Sequence, residues 1–283
     1  MTLYDRIRRA AWLSWLGRCG FFGRGLVYLV AGVFIVHTAS TAQTAQGWQG
    51  AFLALRELPG GVPAVFVMAV ALGTFIAWRL IEALLDPEQL GADLRGLALR
   101  GVRMVSALAY GFLTWKALTV LLCNSASSSD SATRHATALA MSEPLGRGLV
   151  LIAGLVVTII GLVQLARSFT LDVHKRLGLA DQELSTWLSM LGRLGLACRG
   201  LVFMIIGAFL VYAAWFYQPD KARAMSGALR TIAEQPYGDW LLGATGVGLA
   251  AFGLFSLAMA RYRHFTCGDA AHSARASPPW LCE

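Results

Sequence analysis

Three arginines occupy one position in a chain that repeats itself. Arg24, Arg103 and Arg199 each stand eight residues before a glycine, namely Gly32, Gly111 and Gly207. A guanidinium offers a planar fork of donors that matches phosphate or carboxylate in a bidentate way, which an ammonium cannot do. Three such forks turned toward one axis would hold an anion or a lipid headgroup; turned outward, they would snorkel to the membrane surface and set topology. Five residues past the same glycines stand His37, Lys116 and Tyr212, a second set of polar groups in one register. Polar side chains at membrane depth are functional candidates, and these read either as a polar outer ring or as interfacial anchors. Arg79 and Glu82 are three residues apart, so they share a helix face and pair there. Repeat register puts Gln164 and Arg167, then Ser256 and Met259, at those two positions in the other copies.

Other chemistry is harder to build from these residues. There is no HExxH, GxSxG, Walker loop or CxxCH, and the catalytic assignment is none. Five cysteines without a CxxC pair suggest neither zinc nor a redox couple. A bis-histidine haem needs two histidines on facing helices, whereas His37 is the one histidine inside an apolar run. We therefore expect no metal and no cofactor.

The elements that position these residues follow from hydropathy. With 57% hydrophobic and 14% charged residues, the chain is too apolar for a soluble fold. Six runs of about 20 residues match the hydrocarbon core of a bilayer at 1.5 Å per residue. They are Phe21–Ala39, Pro63–Leu85, Met104–Leu122, Gly148–Ala166, Leu201–Tyr217 and Trp240–Ala260. Backbone groups left unpaired in lipid are too costly for any but a helical form here. The net charge of +8 could suggest nucleic acid, but most of the 24 Lys and Arg gather between alternate runs and at the termini. That is the positive-inside pattern, so it places both termini in the cytoplasm and argues against a nucleic-acid partner. Arg6, Arg8 and Arg9 before an apolar run resemble a secretory leader, yet the segment near residue 200 repeats the pattern, which favours an anchor.

The first-helix segments align without gaps. Gly17-Arg18-Cys19-Gly20-Phe21-Phe22-Gly23-Arg24-Gly25-Leu26-Val27-Tyr28 matches Gly192-Arg193-Leu194-Gly195-Leu196-Ala197-Cys198-Arg199-Gly200-Leu201-Val202-Phe203. The second helices begin alike, at Pro59-Gly60-Gly61, Pro144-Leu145-Gly146 and Pro236-Tyr237-Gly238. Proline suits a first turn, where its missing N–H would be unpaired anyway. Continuing in register, Ala69 and Gly73 match Gly154 and Thr158, and Gly246 and Ala250. Small residues four apart let helices approach closely in lipid, where no hydrophobic drive assembles them. Gly32, Gly111 and Gly207 are expected to serve the odd-numbered helices in the same way.

With its Arg-Gly-Leu-Val-Tyr/Phe segments, Pro-x-Gly turns and paired helices, the chain resembles the bacterial membrane family called domain of unknown function 1206, over roughly residues 13 to 265. The middle copy departs from the pattern, with Met104 and Ala107 in place of Gly25 and Tyr28. The resemblance implies a bacterial plasma (inner) membrane and three repeats, and it implies no activity. The expected fold is all-α and polytopic: six transmembrane helices as three parallel two-helix repeats, with a pseudo-threefold bundle as one natural arrangement. Its divisions are a cytoplasmic amphipathic segment at 1–19, repeats at 20–87, 88–169 and 170–265, and a cytoplasmic tail at 266–283. Leu3–Trp15 mixes arginine with aromatic anchors as a surface helix would, and Cys123–Ser142 reads as a flexible external loop.

Three functions remain open on this reading. One is a non-catalytic scaffold or accessory subunit packed through glycine faces, one a small-solute or ion transporter using the axis, and one a lipid-modifying enzyme. The expected partners are membrane lipids and either another membrane protein or a second copy.

Overall fold

A computed structural model describes residues 11–41, 48–85, 93–123, 129–142, 145–171 and 182–262. The described elements are α1 (Ala11–Thr41), α2 (Trp48–Glu57), α3 (Gly61–Leu84), α4 (Leu94–Cys123), α5 (Ser129–Met141), α6 (Gly146–Thr170), α7 (Gln182–Trp215), a 3-10 turn (Pro219–Lys221), α8 (Met225–Ala233) and α9 (Gly238–Tyr262). Helices α1, α3, α4, α6, α7 and α9 are long and apolar enough to cross a membrane. Their outward faces carry large apolar side chains such as Leu149, Ile152, Ile159 and Leu162 of α6. Water would not tolerate so continuous an apolar face, but lipid does. At their N-terminal ends α1 and α7 run well beyond the apolar stretch read from hydropathy, because the arginines there interrupt the run without interrupting the helix.

Packing follows the repeats in a regular order. Each odd helix lies chiefly against the even helix of the preceding repeat: α4 on α3, α7 on α6, and α1 on α9. Within repeats, α1 packs on α3 and α7 on α9, while α4 and α6 hardly touch. The six helices thus form a ring with one open seam, inside the second repeat.

Glycines explain the closed contacts. A Cβ on Gly246 would sit 2.9 Å from the Gly32 carbonyl, and one on Gly253 2.8 Å from that of Gly25, so α1 and α9 meet backbone to backbone. The interface of α6 with α7 repeats this, with a Cβ on Gly161 2.7 Å from the Gly200 carbonyl and one on Gly207 2.9 Å from that of Gly154. Such approach lets dispersion act along the whole helix pair. Within repeats, Gly20 lies against Phe75 and Gly195 against the equivalent Phe252. In the second repeat Leu99 takes the place of Gly20 and Gly195, and Val102 and Val156 stand where Gly23 faces Ala71 and Cys198 faces Gly248. These larger side chains block the same approach, which accounts for the seam.

The link between the two spans of each repeat holds a short helix, α2, α5 or α8. Ser129–Met141 is therefore helical, in place of the flexible loop expected of a serine-rich stretch, because Thr137 and Met141 find buried positions against the bundle. The final glycine of each turn is dictated by close approach: a Cβ on Gly61, Gly146 or Gly238 would strike the carbonyl of Leu55, Ala140 or Ala233. Arginines satisfy helix-end carbonyls that lipid cannot. Arg100 donates to the carbonyls of Ala83 and Leu84 at 2.7 and 3.1 Å, Arg193 to Leu171 at 3.0 Å, and Arg147 to Ala214 and Trp215 at 2.9 and 2.8 Å. The tail at 266–283 and residues 3–10 of the amphipathic segment lie outside the described residues; Ala11–Trp15 continue into α1.

Candidate functional site

The ring closes around aromatic side chains. Tyr28 of α1 meets Phe252 of α9 edge-on at 4.8 Å between ring centres and Trp48 of α2 at 4.9 Å, while Phe75 of α3 meets Tyr110 of α4 at 4.6 Å. The Tyr110 hydroxyl donates to that of Tyr28 at 3.4 Å, linking the first and second repeats. Into this layer project arginines. Arg24, only 8% exposed, places its guanidinium 4.4 Å from the ring centre of Phe21, 5.3 Å from that of Phe75 and 5.2 Å from that of Phe252. Arg199 lies 4.9 Å from Phe252, 4.9 Å from Phe203 and 5.2 Å from Tyr28. Phe252 is therefore shared between Arg24 and Arg199, one from each of two repeats.

The third arginine behaves differently. Arg103 is buried and turns to α3, where its Nε lies 4.0 Å from the Glu82 carboxylate and an Nη donates to the Glu82 carbonyl at 3.5 Å. Glu82 also accepts from Arg79 at 2.9 Å, the pairing expected from their spacing, and Arg79 stacks on Phe75 at 5.1 Å. The expectation of three equivalent arginines on one axis is thus corrected to two plus one. The reason is local: each odd helix packs on the even helix before it, and only α3 offers a carboxylate at this position. Met259 stands there opposite Arg24, and Arg167 opposite Arg199. Arg24 consequently feels the like charges of Arg79 and Arg199, with no carboxylate paired to it among the described residues.

Sequence reasoning missed the aromatic members, and placed two polar residues by register without assigning them to the site. Gln164 and Ser256, at the Arg79 register, are both buried in the bundle. Their common register was legible in the sequence; the stacking of Tyr28, Tyr110, Phe75 and Phe252 was not, because aromatic residues are frequent in any apolar run.

The polar outer ring does not form. His37 is exposed, Tyr212 is 45% exposed and stacks on Phe216 at 4.6 Å, whereas Lys116 is buried with its Nζ 5.4 Å from the Phe112 ring. A shared register fixes height along the bundle, but not which neighbours cover a side chain at that height. Among the packing positions, Gly32 meets Gly246 and Ala250, and Gly207 meets Gly154 and Thr158. Ala69 is buried. Gly73 and Gly111 depart from the expectation: a Cβ on either meets nothing within 4 Å. Met104 and Ile76 occupy the places of Gly25 and Gly253, so the backbone contact those glycines make has no counterpart between α3 and α4. Elsewhere, a groove of about 360 Å³ crosses α9 between α1 and α7, lined by apolar side chains including Val33, Leu194, Val247 and Leu254. Among the described residues no three His, Cys, Asp or Glu side chains gather as a metal site.

Residues 19–86, 103–170 and 194–263 each match the family described as Domain of Unknown Function (DUF1206), one match for each pair of membrane helices. The chain belongs to this family. It is also similar to a protein of Bacillus subtilis (strain 168) described as "Uncharacterized protein YxxB", 28% identical over 259 residues that cover 90% of this chain and 93% of the relative. No solved structure matches it. The protein is thus a multi-pass helical membrane bundle of three repeats in a family of unknown function.

Proposed function

We propose that the protein is a non-catalytic scaffold or accessory subunit of the bacterial plasma membrane, with both termini cytoplasmic. Its partners are membrane lipids and a second membrane protein or a further copy of itself. The observation that carries this reading is the aromatic packing inside the bundle: rings of α1 and α9 meet at 4.8 Å, rings of α3 and α4 at 4.6 Å, and the Tyr28 and Tyr110 hydroxyls join the two pairs. Aromatic faces packed this closely make a stiff, dry core, whereas a transport path needs polar groups lining a space that water can enter. Orientation rests on the concentration of arginine at the inner ends of the helices.

Transport is the second reading, and it rests on the two arginines without a carboxylate, which a permeating anion could visit. A lipid-modifying enzyme has less support, since a nucleophile with its base or paired carboxylates would have to share a cleft, and the arginine layer holds the single carboxylate Glu82 among the described residues. Flux from liposomes containing the purified full chain separates the first two readings. We expect potassium, chloride and phosphate to leave no faster than from protein-free liposomes. A saturable, protein-dependent flux of any of them would replace the scaffold with a transporter.

A further inference from the structure

We propose that Arg24 and Arg199 form an oxyanion site for a phosphate group at the inner side of the bundle. Each guanidinium carbon lies within 5.2 Å of the centre of the Phe252 ring, so the two are at most about 10 Å apart, which is within a Debye length of each other. Both Nε groups are buried and without a hydrogen-bond partner among the described residues, and neither arginine has an ion pair there. Stacking on the rings offsets only part of the cost of withdrawing a cation from water, a cost that falls most heavily on the buried Arg24 and less on the half-buried Arg199. The balance calls for an anion. Arg103 shows what the fold does when it supplies one from within, because there Glu82 stands in the equivalent place.

The donor set selects among anions. Two planar forks reaching from different helices suit a tetrahedral oxyanion, which presents oxygens in several directions, better than a carboxylate, whose two oxygens lie in one plane. The Tyr28 hydroxyl accepts from Tyr110, so its own proton remains available to a further acceptor beside Arg199. A phosphate could arrive from the cytoplasm as the free ion, or as the headgroup of a lipid. This site does not rest on the scaffold reading, because binding and flux are read in separate experiments.

The test is thermal unfolding of the purified full chain in delipidated, uncharged detergent. It is titrated with inorganic phosphate against chloride at equal ionic strength, and separately with phosphatidylglycerol against phosphatidylcholine. We expect a saturable rise in the melting midpoint with phosphate, with phosphatidylglycerol, or with both, and none with chloride or phosphatidylcholine. A response to inorganic phosphate assigns the free ion, and a response to phosphatidylglycerol alone assigns the headgroup; either supports the site. Arg24→Gln and Arg199→Gln should melt at or above the parent without phosphate, since each removes an unneutralised charge, and should lose the response. Arg24→Lys and Arg199→Lys keep the charge without the fork, so they guard against a folding artefact and should bind at least tenfold more weakly. The proposal is overturned if neither phosphate source shifts the parent, or if all four variants respond as the parent does.

Discussion

Alanine placed at three equivalent glycines should change stability in opposite directions. Gly32, Gly111 and Gly207 hold one repeat position, and any helix gains about 1 kcal/mol when alanine replaces an interior glycine. At Gly32 the new Cβ would stand 2.6 Å from the Gly246 carbonyl and 2.8 Å from the Ala250 Cα, and at Gly207 2.7 Å from the Thr158 nitrogen. Both contacts are with backbone, so the helices must separate. Overpacking of this kind costs roughly 1–3 kcal/mol, and separation also loosens the contacts on either side. At Gly111 the Cβ meets nothing within 4 Å, so the helix gain stands unopposed. Gly111→Ala should therefore melt about 2–4 °C above the parent, and Gly32→Ala and Gly207→Ala below it by a similar or larger interval. The assay is thermal unfolding in one detergent, followed by loss of the monodisperse peak in size-exclusion chromatography. The reasoning fails if Gly111→Ala is destabilised as much as the other two, or if all three melt with the parent.

Two further outcomes follow from the same geometry. Glu82→Gln leaves Arg79 and Arg103 without their carboxylate, and losing one member of a buried ion pair costs roughly 3–5 kcal/mol; the double variant Glu82→Gln with Arg103→Met should regain much of the lost melting temperature. An unchanged midpoint for Glu82→Gln alone would show that this carboxylate is not the counter-ion. Reporter fusions at residue 128 and after residue 265 should report opposite sides of the membrane, with 265 cytoplasmic, and finding both on one side would discard the orientation.

The sequence by itself determined the six spans, the three repeats and the glycines at which helices could meet. These depend on local quantities: a run must be long enough to cross the bilayer, and a residue must be small enough to let another backbone pass. It also placed Arg79 three residues from Glu82, and one helix turn is sufficient for them to pair. What each residue would meet was decided only in three dimensions. Gly32 faces Gly246, more than two hundred residues away, because the ring closes the first repeat on the third. Arg24, Arg103 and Arg199 are alike in the chain, but each packs on a different even helix, so only Arg103 finds a carboxylate and the other two share Phe252. The same logic dispersed His37, Lys116 and Tyr212, gave Ser129–Met141 a surface on which to fold, and left Gly111 without a neighbour. Register fixes the height of a residue in the bilayer; the side chains at neighbouring positions, Leu99 and Val102 in place of glycine, decide which helices can close at that height.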